Sequence, residues 1–377
     1  MNSSFDYDLL IGANRLFCAL SGFDGPGTVA VVGDRIVASG PGISGTARRH
    51  LEFDDGILLP GLIDFHAHPG GGGSRYGTDP DQFFLPRGVT TCMSQGDAGA
   101  DNWDEYRRDI IDSRRTRVCL ALNLSRFGES HPTRNIPTLE AADVDACIRT
   151  IKAGGDLIWG IAFNAAPVTI GDIDPRVIME RGLAAAAATN RPILYGSRKN
   201  ADWPLAEQLA LLRPGDVMTY LFNREEEELL SAGQVHEAVL EARTRGVLFD
   251  LGHGMMSFSF PRAQEALALG FYPDTVSTDR YIRHVKEDPS HDLPRVMSKL
   301  IALGMPKVDV FARATAVPAQ HLGLAGEVGT LQPGACADIT VLKWNDQAEP
   351  LTDCHGEQHA GPCLEPLITI RGGQPVE

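Results

Sequence analysis

Hydrophobic and polar positions divide the chain into two kinds of segment. Near the N-terminus apolar and polar residues alternate in short runs such as VAVVGDRIVASG, where Gly33 and Asp34 separate two β-branched halves. Alternation around a Gly-Asp pair predicts a β-hairpin. Similar short runs return near the C-terminus, in ADITVLKW and EPLITIRGG. We therefore expect residues 1–60 and 325–377 to form one small β domain together.

The pattern changes in residues 61–324, where short apolar runs alternate with amphipathic stretches. Several of these stretches end on Gly or Asn, as helix C-termini do, among them VIMERGLAAAAATN and QVHEAVLEARTRG. Eight strands that alternate with helices over ~250 residues are typical of a (β/α)8 TIM barrel. A doubly wound sheet is the alternative, but no GxGxxG fingerprint follows the first strand. The predicted barrel strands are 61–66, 89–94, 117–124, 157–163, 192–195, 216–221, 248–251 and 275–277.

Composition and charge limit the classes of partner. The chain is 43% hydrophobic and 22% charged, as expected of a globular protein. Its 34 Lys and Arg against 49 Asp and Glu give a formal net charge of −15. Nucleic acids and anionic membranes attract concentrated positive charge, so we expect neither as a partner, but a small-molecule substrate. Homo-oligomerisation is left open.

Two further features bear on location and local structure. We find no run that approaches the ~20 apolar residues of a membrane span and no basic start of a signal peptide, so a cytoplasmic protein is expected. The acidic run 225–228 follows Asn223 and predicts the solvated start of a helix, because carboxylates favour the positive end of the helix dipole.

The seven cysteines are scattered and do not resemble a disulfide framework. Four potential zinc ligands lie close together in DCHGEQHAGPC, but their spacing does not fit a zinc knuckle. We interpret this segment as a polar loop between two strands. The residues concerned are Cys354, His355, His359 and Cys363.

Candidate chemistry lies at the ends of the predicted strands. The first strand ends in LIDFHAHPGGGG, and side chains two apart in a strand share a face, so His66 and His68 can bind one ion at the barrel mouth. Two solvent-facing loop histidines are the alternative. The eighth strand ends in VSTDR, which places Asp279 where it can bind metal and accept a proton, or cap the next helix. The seventh ends in FDLGHG, where His253 can contact a bound ligand or have only a structural role.

These segments resemble the amidohydrolase superfamily over almost the whole chain. The matching runs are GILLPGLIDFHAHP, GVTT and VGTLQPGACADITVL. More narrowly, GVTT with GADNW, FDLGHGMMSFSF and DLPRVMSKLIALGM resemble the dihydroorotase-like and deacetylase-like branch. The resemblance implies a TIM barrel with a small β-sandwich domain formed from both termini. It also implies a metal-dependent hydrolase of a small amide, ester or cyclic amide.

The resemblance further implies a two-metal centre, and the sequence departs from it at three positions. Where the family has a bridging lysine on the fourth strand and a histidine on each of the next two, this chain has Ala162, Tyr195 and Tyr220. We therefore expect one divalent ion held by His66, His68 and Asp279. Zinc is expected, with iron or manganese as alternatives, and a metal-free pocket is the opposing interpretation.

The remaining polar residues have candidate roles near such an ion. Tyr195 and Tyr220 are expected to donate hydrogen bonds to a carbonyl or an oxyanion, with ferric ligation or simple packing as alternatives. His253 is a candidate fourth ligand or substrate contact, and Asp97 and Arg198 are candidate substrate contacts. Two other functions remain open: a non-heme iron oxygenase with the same two-histidine, one-carboxylate set, and a non-catalytic pseudo-enzyme.

Overall fold

Strands and helices alternate along the computed structural model, which describes residues 5–224, 229–285 and 291–376. The acidic run 225–228, predicted to start a helix, lies outside the described residues. The strands are β1 (Tyr7–Cys18), β2 (Phe23–Val32), β3 (Arg35–Gly40), β4 (Ala47–Pro60), β5 (Leu62–Ala67), β6 (Val89–Gln95), β7 (Arg117–Asn123), β8 (Ile158–Asn164), β9 (Ile193–Gly196), β10 (Val217–Thr219), β11 (Leu230–Ser231), β12 (Gln234–Val235), β13 (Leu248–Phe249), β14 (Ile339–Asn345), β15 (Leu351–Thr352), β16 (Gln358–His359), β17 (Cys363–Arg371) and β18 (Gln374–Pro375). The α-helices are α1 (Pro80–Phe83), α2 (Trp103–Tyr106), α3 (Val144–Gly154), α4 (Pro167–Ile170), α5 (Pro175–Thr189), α6 (Leu205–Leu211), α7 (Glu237–Thr244), α8 (Phe260–Ala268), α9 (Leu293–Ala302), α10 (Lys307–Arg313) and α11 (Ala316–His321).

Strands from both ends of the chain share one seven-stranded sheet, in the order β18-β17-β14-β4-β1-β2-β3. The predicted hairpin is confirmed, since β2 and β3 pair antiparallel on either side of Gly33, which has a φ of +60°. The N-terminal and C-terminal parts meet where β14 pairs antiparallel with β4. A separate apolar core, with Ile11, Leu58 and Val341 among its members, packs on this sheet. The exact division at residues 60 and 325 stays a prediction.

The second large sheet is parallel and follows the chain order, β5-β6-β7-β8-β9-β10-β13. Helices such as α3 and α5 connect its strands, as predicted, and each begins at an aspartate that caps its first turn. Asn190, with a φ of +52°, ends α5, which agrees with the predicted asparagine stop. Consecutive parallel strands with helical crossovers are the arrangement of a TIM barrel.

The barrel closes through residues 275–280, although they do not form a regular strand. Leu251 N donates to Thr275 O at 3.1 Å on one side, and His68 N donates to Arg280 O at 3.0 Å on the other. Isolated bridges join the same segment to both neighbours. The prediction of a regular strand at 275–277 is therefore wrong in form, but the segment occupies the eighth position of the ring.

Two predicted strands are longer than the observed ones, and in both cases a residue with positive φ follows the observed strand. The segment predicted as 216–221 stops at Thr219, because Tyr220 adopts a φ of +70°, which a strand cannot contain. The segment predicted as 248–251 stops at Phe249, shortly before Gly252 with a φ of +52°. The first five barrel strands agree with their predicted bounds to within one residue at each end.

Within the described residues, no helix has the length and apolar character needed to cross a membrane.

Candidate active site

Three predicted ligands meet at the barrel mouth. The Nε2 atoms of His66 and His68 lie 3.3 Å and 3.0 Å from the same oxygen, Oδ1 of Asp279. One potential ligand atom from each residue lies within 4.8 Å of the other two, and all three side chains are buried. Pairing of β5 with β6 shifts register between Asp64 and Ala67, a local irregularity of the kind that re-aims side chains beside active sites. The structure therefore assembles a group that can hold a metal ion.

His66 has its two ring nitrogens in different surroundings. Nδ1 lies 2.8 Å from Thr219 Oγ1 and 3.2 Å from Asp250 Oδ2, and Thr219 in turn donates to Asp250. These acceptors favour the tautomer with the proton on Nδ1. Nε2 is buried and, within the described residues, makes no hydrogen bond of acceptable geometry. A histidine whose outer nitrogen is held by a carboxylate while the inner one is left over is typical of a metal ligand.

His68 is held in a similar way by different carboxylates. Its Nδ1 lies 3.2 Å from Asp97 Oδ1 and 2.9 Å from Glu129 Oε2. Ser94 donates a hydrogen bond to Asp97, and Asn135 donates one to Glu129, so both carboxylates are fixed in place. Nε2 of His68 remains directed at Asp279. Asp97, expected to contact substrate, is thus placed behind His68 instead.

Electrostatics in this cluster favour positive charge. Burial lowers the pKa of His66, but the carboxylates of Asp279 and Asp250 outweigh it and raise this pKa to about 9. Burial likewise lowers the pKa of His68, while Glu129 and Asp97 raise it well above its usual value. The pKa of Asp279 is raised by burial but falls below its usual range because both histidines face it. A cation that binds here must therefore displace protons from the two imidazoles.

Glycines next to His253 allow close approach around the cluster. A Cβ at Gly254 would lie 2.6 Å from Asp279 Oδ2, and one at Gly252 would lie 2.2 Å from Thr219 Oγ1. Asp279 itself has a φ of +47°, an uncommon backbone conformation for a residue other than glycine. Such conformations cluster at functional sites, where the surrounding structure must enforce them.

His253 is not brought to the cluster. Its Nδ1 lies 2.7 Å from Gly254 O, and its Nε2 lies 2.8 Å from the Lys299 amine. Its ring stacks on Phe258 with centroids 4.7 Å apart and an interplanar angle of 15°. Both nitrogens are therefore occupied in a buried layer behind the site, which does not support the predicted role as fourth ligand or substrate contact.

The two predicted tyrosines have different positions. Tyr195 points away from the mouth, because its hydroxyl donates to Gln208 Oε1 at 2.7 Å and its ring packs 5.4 Å from Phe163. The following residue, Gly196, faces the interior, since a Cβ there would lie 2.7 Å from Asn164 Cγ. The expected substrate contact by Tyr195 is corrected accordingly: Gly196 is the inward position of this strand. Burial raises the pKa of Tyr195, which keeps it a phenol in that packing role.

Tyr220 does lie at the site. Its ring centroid is 5.3 Å from that of His66, and burial raises its pKa well above the usual value. The neutral phenol is thus favoured, which suits a hydrogen-bond donor better than a phenolate ligand. Arg198, another predicted contact, is tied to Asp202 by an ion pair and to Ala165 O by a hydrogen bond.

A cavity with two lobes opens beside the cluster. One lobe, lined by the side-chain amides of Gln95 and Asn135 and called the amide lobe, has a volume of about 140 Å³. The other, lined by Met255 and Met256 and called the methionine lobe, has a volume of about 190 Å³. Both lobes are lined by Asn164, Tyr220, Asp279 and Tyr281. The amide lobe adds Gln95, Glu129, Asn135 and Thr169. The methionine lobe adds Ser197, Lys199, Met255 and Met256.

Several of these residues are not predicted as site residues by the sequence. Glu129 and Lys199 follow β7 and β9, and Tyr281 follows the closing segment 275–280, all at the end of the barrel where such sites form. They lie in the connecting loops rather than in the strands themselves, which left no periodic signal. Position after a strand was the one clue available for them.

Comparison with known proteins places the chain among hydrolases. It is 31% identical to a deacetylase from Enterococcus faecalis, over 98% of this chain and 99% of the relative. It is 29% identical to a deacetylase from Agrobacterium fabrum, over 93% of this chain and 85% of the relative. No protein-family model matches it.

Solved structures agree with this placement. A crystal structure of an adenine deaminase superposes with a TM-score of 0.89 at 30% identity, over 98% of this chain and 99% of the other. A dihydroorotase superposes with a TM-score of 0.87 at 27% identity, with the same coverage of both chains.

Proposed function

The chain belongs to the amidohydrolase superfamily and is a hydrolase, and on that basis we propose that it removes a small acyl group from an amide or ester with one divalent ion. The ion is held by His66, His68 and Asp279. The acyl transfer to water is inferred from full-length relatives that are named deacetylases. The iron-oxygenase and pseudo-enzyme alternatives have no comparable support.

One observation carries the metal proposal: the buried Nε2 of His66, which has no well-formed hydrogen bond in the described structure and faces Asp279. A buried nitrogen without a partner is costly unless a ligand satisfies it. Two imidazoles and one carboxylate suit Zn²⁺, and also Fe²⁺ or Mn²⁺, with positions left open for substrate. We propose zinc as the resident ion.

Such an ion supplies Lewis acidity at the substrate carbonyl and makes water a better nucleophile at neutral pH. Asp279 accepts the proton of the attacking water and returns it to the leaving nitrogen or oxygen. Tyr220, as a neutral phenol, donates a hydrogen bond to the substrate.

The two lobes differ in size. The amide lobe, at about 140 Å³, is the smaller one and so suits a short acyl chain. Its side-chain amides can orient a short acyl chain by hydrogen bonds. We place the carbonyl where the two lobes meet, beside Tyr220 and Asp279, with the acyl chain in this lobe and the leaving group in the methionine lobe.

The test combines metal analysis with an acyl substrate panel. Purified protein is analysed for transition metals and assayed against N-acetyl and O-acetyl compounds, with His66→Ala as the variant and exposed His355→Ala as its control. We expect about one ion per chain and acyl hydrolysis, both lost in His66→Ala and retained in His355→Ala. Metal-free wild-type protein, or a His66→Ala variant that keeps its ion, would contradict the proposal.

A further inference from the structure

The walls of the methionine lobe carry opposite charges. Of the described residues that line it, only Lys199 and Asp279 have charged side chains. Asp279 belongs to the proposed metal site, whereas Lys199 follows the fifth barrel strand on a different wall. A lysine in this position is unusual, because Lys199 is only 8% exposed and buried lysines are rare without a specific role.

Lys199 is held close to the reaction centre through Tyr220. Its amine lies 3.3 Å from Tyr220 O and 5.1 Å from the centroid of the Tyr220 ring. That ring lies 5.3 Å from the ring of His66. The ammonium and the metal ligand therefore contact the same aromatic side chain, and both Lys199 and Tyr220 line the methionine lobe.

The inward-facing residues at the ends of the fourth, fifth and sixth barrel strands do not provide ligands for a second metal ion. Ala162 packs inside the barrel with Phe65 and Leu194, and Gly196 has no side chain to offer. The third position is Tyr220, a phenol whose ring packs beside His66. These three strand ends thus provide neither an imidazole nor a carboxylate, and among the described residues that line the methionine lobe Lys199 carries the positive charge.

We propose that the ammonium of Lys199 stabilises the oxyanion of the reaction, and so supplies the second positive charge of the site in place of a second metal ion. This inference rests on the proposed function. Water adds to the acyl carbon and forms a C–O bond, while the carbonyl π electrons move to oxygen and its negative charge is held by Lys199. The C–N or C–O bond to the leaving group then breaks, and Asp279 delivers the proton taken from water. Acyl compound and water give the acid and the free amine or alcohol, so the step balances.

Fixed positive groups aimed at developing charge act most strongly in water-poor sites. Lys199 meets this condition because it is buried at the cavity wall rather than extended into solvent. Its effect belongs to the transition state, so it should change kcat much more than KM.

The experiment replaces Lys199 with methionine, which keeps the length and removes the charge, and with glutamine as a second neutral variant. Lys152→Met, at an exposed position of α3, is the control. Four quantities are measured: metal content, kcat, KM, and inhibition by methylphosphonate, which mimics the tetrahedral oxyanion of an attacked acetyl group. We expect kcat to fall roughly 100- to 1,000-fold, with methylphosphonate binding weakened and KM changed less than threefold. Metal content should remain about one ion per chain.

Other results overturn the inference in distinguishable ways. A rise in KM with kcat unchanged makes Lys199 an anchor for substrate, and loss of metal makes it part of the ion site. Two ions per wild-type chain overturn this inference while leaving the hydrolase proposal intact. A wild-type protein without metal or without acyl hydrolysis overturns the proposed function, and this inference with it.

Discussion

Nε2 of His68 lies 3.0 Å from Oδ1 of Asp279, although 211 positions separate the two residues in the chain. The contact exists because the segment that carries Asp279 closes the barrel against the first strand, where Asp279 N donates to His66 O at 2.7 Å. Barrel closure and assembly of the proposed metal site are therefore one structural event. The same carboxylate would help to hold the ion and would serve as proton acceptor.

Replacement of Asp279 with asparagine should separate these two roles. The asparagine side chain keeps a ligand oxygen of similar shape but loses the negative charge and the proton acceptor. We expect kcat to fall about 100- to 10,000-fold, the range of a general base, with a smaller loss of metal affinity. Steady-state kinetics and chelator competition measure the two effects, with exposed Asp172→Asn as control. Unchanged kcat in the metal-loaded variant would show that another group takes the proton.

The carboxylates behind His68 should determine how tightly the ion is held. Asp97 and Glu129 both lie near its Nδ1, and Glu129 Oε2 approaches to 2.9 Å. We expect Asp97→Asn and Glu129→Gln each to lower metal affinity about 10- to 100-fold. Competition against a chelator of known affinity measures this, with exposed Glu140→Gln as control. Equal affinity in all of these proteins would mean that His68 is oriented by other contacts.

Tyr195 and Tyr220 should differ sharply when each is changed to phenylalanine. Tyr195→Phe removes a hydrogen bond to Gln208 outside the site, so we expect stability to fall by about 1 kcal/mol and kcat to stay within twofold. Tyr220→Phe removes a donor inside the cavity, so kcat should fall while stability changes little. Denaturant unfolding and kinetics of both variants test this pair. A loss of kcat in Tyr195→Phe would restore the role first expected for it.

The same pair shows how far the sequence could predict the site. His66 and His68 were predictable because they end a continuous apolar strand, and the two-residue spacing fixes their shared face. The prediction puts the inward position at Tyr195, at the end of the strand. Leu194 packs in the barrel interior, and strict alternation from it would have selected Gly196.

Other parts of the site depend on the tertiary structure. The path of the loop after β7, rather than any local pattern, brings Glu129 to His68. The layer around His253 is equally hidden, because Lys299 comes from α9 and meets it only in the folded chain. The first seven barrel strands, in contrast, were predictable from apolar runs, although two of them end early, before the positive φ of Tyr220 and of Gly252, and the eighth segment forms no regular strand.

Metal affinity should depend on pH in a defined direction. The pKa of His66 is raised to about 9 by Asp279 and Asp250 against the effect of burial, and that of His68 also lies above its usual value. An ion binds neutral imidazole, so protons compete with it below about pH 9 and affinity should rise from pH 6 to pH 9. Each proton displaced contributes up to about tenfold per pH unit. Chelator competition across this range measures the slope, and pH-independent affinity would contradict the prediction.

The buried amine of Lys299 should make stability increase with pH. It lies 2.8 Å from His253 Nε2 and 2.8 Å from His291 Nδ1, and burial lowers its pKa from 10.5 to about 7. Between these values the unfolded chain binds a proton that the folded chain does not, so the free energy of unfolding rises with pH. From pH 7 to pH 9 this amounts to about 2 kcal/mol.

Urea unfolding at pH 7, 8 and 9 tests this. The increase in the free energy of unfolding from pH 7 to pH 9 should be about 2 kcal/mol smaller in Lys299→Met, which lacks the titrating amine. Only the difference in slope between the two proteins matters, since other groups titrate in both. The variant also leaves two imidazole nitrogens without their donor. This loss lowers the free energy of unfolding of the variant, but the loss does not depend on pH between pH 7 and pH 9. Parallel slopes for wild type and variant would show that Lys299 keeps its ordinary pKa in the folded chain.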